Sequence, residues 1–117
     1  MNERKILKFD GYELYLNVYQ YQYNGRLAII ADTTDGECYA DVTENLPEAF
    51  VEDATNVFIN SETTDCGLEK KLQKIGIIKE VIWKESYNWG TYNKVSIDIE
   101  KLKEYDPKGV KKFMKTL

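Results

Sequence analysis

The chain has no histidine, which removes the commonest general base and the usual zinc ligand. Only Cys38 and Cys66 are present, without CxxC spacing. That usage fits neither a disulfide scaffold nor a zinc ribbon, and it points to a reducing cytoplasm. No apolar run approaches the ~20 residues of a membrane helix, and no apolar stretch follows the Met-Asn-Glu-Arg-Lys start, so neither membrane association nor a signal peptide is expected. Gly-x-Ser-x-Gly, the P-loop and the dinucleotide fingerprint are also missing. The expectation is a protein without catalytic residues, cofactor or metal. Basic charge is scarce in one region only. Between Phe9 and Gly67 the single base is Arg26, against twelve Asp or Glu, while the segments on either side are net basic. Clustered charge of one sign attracts a partner of the other.

What is present suits one domain over residues 1–117, a length that buries a core without staples. Nine tyrosines outnumber four phenylalanines and two tryptophans. The dipeptides Asp10-Gly11, Asn24-Gly25 and Asp35-Gly36 each separate alternating apolar runs, and such pairs tolerate the positive φ of type I′ hairpin turns. Two-residue loops at all three set a register in which Leu7 faces Leu14, Val18 faces Ala31, Ile29 faces Val42 and Ala31 faces Ala40. One face then collects Leu7, Phe9, Tyr12, Leu14, Leu16, Val18, Leu27, Ile29, Ala31, Cys38, Ala40 and Val42. The turns, chosen from local chemistry, thus yield a coherent core face for a four-stranded meander over residues 5–45.

Farther on, 56–59 reads as a short strand. Asp65 can cap a helix carrying Leu68, Leu72 and Ile75 and ending at Gly76. Ile77 to Lys84 and Thr91 to Ile99 read as a second hairpin around a loop at 85–90. A basic helix after Pro107 offers Val110, Phe113, Met114 and Leu117 as its apolar side. The class is α+β: an antiparallel β-meander of about six to seven strands, with one or two helices packed on one face.

The turn and strand residues, Tyr-Asn-Gly-Arg-Leu-Ala-Ile at 23–29, Asp35-Gly36-Glu37, Tyr39-Ala40, and Val42-Thr43 leading to Asn45-Leu46-Pro47, resemble an uncharacterised family of small proteins, a domain of unknown function. Ile75-Gly76-Ile77, the Tyr87 to Tyr92 loop and the closing strand before Leu102 are similar too. The resemblance implies an origin on plasmids, conjugative elements or phages of Gram-positive and gut bacteria. It carries no activity and no site residue.

The outer sheet face is where function is expected. The register places Tyr15, Tyr19, Tyr21, Tyr23, Ile30 and Tyr39 there, with Glu13, Asp32, Glu37 and Asp41. Arg26 stands opposite Tyr23, within stacking reach. Tyrosine suits interfaces, where one end of the ring stays wet. The candidate partner-binding residues are therefore Tyr15, Tyr19, Tyr21, Asp32, Glu37 and Asp41, with Trp89 as a separate loop anchor. Trp83, inside a strand, reads as core. The partner is an unidentified protein. One class that fits is a nucleic-acid-binding or defence enzyme whose basic groove accepts carboxylates in place of phosphates. Direct nucleic-acid binding is not expected, because the lysines gather in the last seventeen residues as a solvated helix face. The sequence sets no oligomeric state. The alternative is a small-ligand-binding domain or minor enzyme with an aromatic pocket around Trp89.

Overall fold

A computed structural model describes residues 3–117. Strands β1 (Leu7–Phe9), β2 (Tyr12–Gln20), β3 (Leu27–Thr33) and β4 (Cys38–Asp41) form sheet A in sequential order. Sheet B is built from β5 (Thr43–Glu44), β6 (Asn56–Ile59), β7 (Ile78–Tyr87) and β8 (Gly90–Ile97), in the order β5-β6-β8-β7. The described residues also form four helices: α1 (Ser61–Asp65), α2 (Leu68–Lys74), α3 (Ile99–Lys103) and α4 (Pro107–Met114). The α+β class and the antiparallel pairing stand. The single meander with one or two helices does not: the described residues form two separate four-stranded sheets and four helices.

The division happens at Val42. Its N–H donates to Ile29 in sheet A, while its carbonyl accepts from Asn60 at the end of β6. The Ile29 N–H meets the Thr43 hydroxyl instead of a backbone carbonyl. A side chain thus ends one ladder, and the chain crosses into the other. The two additional helices come from caps that were not read. Asn60 caps α1 by accepting from Glu62 N–H, and Asp98 caps α3 by accepting from Lys101 N–H. Asp65, the expected cap of α2, is the last residue of α1. Gly67 separates the two helices at φ 91°.

The three hairpin turns differ from one another. Asp10 and Gly11 both have positive φ, and Phe9 pairs with Tyr12, as a two-residue type I′ loop requires. At Asn24-Gly25 the pair Tyr21–Arg26 closes a longer loop, so Val18 pairs with Ile29 rather than Ala31. This slip of two residues leaves every side chain on its expected face, because the pleat repeats every two. At Asp35-Gly36 the loop has three residues, closed by Thr33 and Glu37, and a bulge between Ala31 and Asp32 absorbs the extra one. That slip is odd, so it exchanges faces locally. Cys38 becomes exposed opposite Asp32, and Tyr39 turns inward against Phe9 and the core.

The core is continuous between the two sheets. It joins Leu14, Leu16, Val18, Leu27 and Ile29 of sheet A to Val57, Ile59, Val95 and Ile97 of sheet B. Leu68 and Leu72 of α2, Leu102 of α3, and Val110 and Phe113 of α4 close it. Met114 and Leu117, expected on the apolar side of α4, are exposed. Helix α4 docks through Asp106, whose carboxylate accepts from Gly109 N–H as a cap and from Val18 N–H on β2. A Cβ at Gly109 would lie 2.3 Å from that carboxylate and 2.8 Å from the Val18 carbonyl. Glycine is required there by close approach.

Candidate functional site: an acidic end and a bare hairpin

In a meander, the first and third turns lie at the same end of the sheet. The Asp10-Gly11 turn and the Thr34–Gly36 loop therefore bring Asp10, Glu13, Asp35 and Glu37 around one depression of about 810 Å³. Lys8 is the only base on its wall. Phe9 packs against the core as expected and borders this end, while Tyr12, also expected in the core, is exposed here. Tyr39 lies 6.4 Å edge-on from Phe9 and 5.1 Å from Tyr12 between ring centroids, so three aromatic rings sit beside four carboxylates. Asp10, Glu13 and Asp35 were not singled out as site residues. The signal was available, because the turn sequences and the meander order together specify which turns are neighbours.

The tyrosines and acids chosen from the sequence divide into two groups. Tyr19 is 52% exposed, and Glu37 and Asp41 are also exposed. Among the described residues, none of Glu13, Glu37 and Asp41 forms an ion pair. The others serve the fold. Tyr15 lies under the Arg4 guanidinium, 4.3 Å from the ring centroid. Arg4 also donates to the carbonyls of Leu16 and Tyr105 and to Asn17 Oδ1. Asn17 in turn donates to Asp32 at 2.6 Å, so Asp32 belongs to a network. Tyr21 lies in the β2–β3 loop, and its hydroxyl shares a 2.7 Å hydrogen bond with Thr43; burial pushes its phenol above the ordinary value.

Arg26 does not stack on Tyr23. It donates to the carbonyls of Leu46 (2.9 Å) and Ala49 (2.8 Å), pinning the loop that follows β5. Lys94 holds the same loop from the other side. Its ammonium lies about 6 Å from the Phe50 and Phe58 rings and bonds the Phe50 carbonyl and Glu52. The hydrogen bond from Lys94 is the main reason that Glu52 is held below its usual carboxylate range. The only base of the acidic segment is therefore engaged with a loop carbonyl pair, and Lys8, opposite Glu13, is the one base beside the carboxylates of the sheet A end.

Trp89 stands at the tip of the β7–β8 hairpin. It is 104% exposed, and a side chain so exposed walls no pocket. The expected loop at 85–90 shrinks to Asn88-Trp89, since Tyr87 pairs with Gly90. Trp83, expected in the core, is 62% exposed on β7. Its strand lies at the sheet edge, where a residue inside a strand need not be inside the protein.

These features define a small two-sheet α+β domain with one carboxylate-rich end and one bare aromatic hairpin. No helix among the described residues is long and apolar enough to cross a membrane. The chain belongs to the family described as domain of unknown function DUF4313, which it matches over residues 15–117. No curated protein and no solved structure matches it. An uncharacterised family was the expectation from the turn and strand residues.

Proposed function

We propose that this domain is a non-enzymatic accessory protein that binds another protein through the acidic end and outer face of sheet A. The observation that carries the reading is the convergence of Asp10, Glu13, Asp35 and Glu37 beside Tyr12 and Tyr39, with one base among them. Asp41 and Tyr19 extend the surface along the sheet. Carboxylates so arranged suit a partner with a Lys- and Arg-lined groove, the chemistry by which nucleic-acid-binding enzymes hold phosphates. The exposed Tyr12 and Tyr19 rings supply contact area that charge alone does not. The mobile-element origin that the family resemblance implies, together with the reducing cytoplasm to which the two unpatterned cysteines point, suits an inhibitor of such an enzyme.

The test is capture from cell lysate by the intact chain and by a Glu13→Lys, Asp35→Lys, Glu37→Lys variant of matched circular dichroism. Asp32 is left intact because Asn17 depends on it. The wild type should retain a basic partner at low salt and release it at high salt, since exposed charges are screened over ~8–10 Å near physiological ionic strength. The variant should retain none of it. Equal capture by both proteins would refute the assignment of this surface.

A further inference from the structure

Four strands form the sheet edges. Three are short: β1 has three residues, β4 has four and β5 has two. The half of β2 that extends past β1 is also closed, by Arg4 on the Leu16 carbonyl and Asp106 on the Val18 N–H. The β4 edge meets α1, whose Thr63 hydroxyl donates to the Asp41 carbonyl. The fourth edge, β7, is ten residues long, and among the described residues no side chain from a distant part of the chain bonds its backbone. Its middle exposes Val81, Ile82 and Trp83 in succession. A long edge of this kind offers unpaired backbone groups and an apolar strip to another strand.

The order of charges on β7 indicates which strand. Around Ile82 the sequence reads Lys79-Glu80-Val81-Ile82-Trp83-Lys84-Glu85. Reversed about Ile82, each lysine meets a glutamate: Lys79 faces Glu85, Glu80 faces Lys84, Val81 faces Trp83, and Ile82 faces itself. The charges that keep many edges apart thus attract here, provided that the second strand is the same sequence running antiparallel. The two bulges of β7 lie within this strip, one at 78–80 and one at 81–83 about Ile82. A closed two-fold interface is also the commonest form of assembly for a soluble chain.

We infer that β7 pairs with β7 of a second copy of this chain, joining two B sheets into one eight-stranded sheet across a two-fold axis at Ile82. The contact is independent of the acidic end of sheet A, which remains free in the dimer. Trp83 and Ile82 form its apolar centre, flanked by the Lys79–Glu85 and Glu80–Lys84 pairs.

The experiment is sedimentation velocity on the intact chain over a concentration series, with circular dichroism of every variant. The wild type should shift from monomer to dimer as concentration rises. Lys79→Glu should weaken dimerisation on the order of tenfold, because two symmetric pairs become repulsive at once. Adding Glu85→Lys to that variant should restore it, and Trp83→Lys should abolish it with the fold retained. A wild type that stays monomeric throughout overturns the inference. So does a dimer indifferent to Lys79→Glu and Trp83→Lys, and so does a double variant that fails to recover.

Discussion

Sheets A and B have the same strand count and opposite solutions at their margins. In sheet A every margin is short or capped, and side chains from distant parts of the chain do the capping: Arg4 and Asp106 on β2, Thr63 on β4. In sheet B the longest strand of the molecule is the margin, and the largest exposed apolar groups belong to it and to its hairpin tip. The two sheets share one core, so the difference does not arise from packing strength at the centre. It arises from what is placed at the edges. A surface left open in a chain that closes its other edges points to a use for that edge.

The first way to break the comparison is to truncate equivalent aliphatic residues in the two sheets. Ile29→Ala, at a fully buried site of sheet A, should lose roughly 2–5 kcal/mol in denaturant unfolding. Ile82→Ala on β7 should stay within about 0.5 kcal/mol at concentrations where the chain is monomeric. Similar losses at both positions would mean that β7 is not an open margin.

Next in size is the closure of sheet A itself. Gly109→Ala should destabilise by about 1–3 kcal/mol, since the added carbon has no room between the Asp106 carboxylate and the Val18 carbonyl. Asp106→Ala should cost a similar amount, about 1–3 kcal/mol, by removing a helix cap and leaving Val18 N–H unpaired in the interior. A measured change near zero in either would show that α4 does not secure the β2 edge.

A smaller effect sharpens the contrast on the side of sheet B. Glu52 is held below its unfolded value by Lys94. A carboxyl depressed in the folded state contributes stability that is complete above its unfolded pKa and is lost as pH falls through its folded pKa. Thermal melts of wild type and Glu52→Gln should therefore differ near neutral pH and converge under acid conditions. A difference that persists or grows on acidification contradicts the assignment of that pair.

The legibility of the sequence followed the same division. Sheet A was readable because its turn dipeptides and period-two pattern constrain each other: Asp10-Gly11 was right in detail, and Asn24-Gly25 was wrong by an even number that left the faces correct. The odd slip at Asp35-Gly36 misplaced Cys38 and Tyr39, because a bulge leaves no mark in a hydrophobic pattern. The crossing at Val42 depends on a Thr43 side chain standing in for a backbone acceptor, which no periodicity reports. On β7 the two bulges and the mixed order of apolar and charged residues removed the alternation that would have told edge from interior. Trp83 was accordingly assigned to the core. Of the site residues, the register put Glu37, Asp41 and Tyr19 on the outer face, and all three are exposed. Tyr15, Asp32 and Tyr21 were not separable from them, because their partners Arg4, Asn17 and Thr43 are fixed by tertiary structure.

Amide hydrogen exchange at two chain concentrations tests the inequality of the two sheets most directly. The β2 amides closed by Asp106 and by β3 should be protected to the same degree at both concentrations. The outward-facing amides of β7, those not bonded to β8, should exchange quickly in the dilute sample and become protected in the concentrated one. Protection on β7 that is already complete at dilution, or that never changes with concentration, would contradict the account.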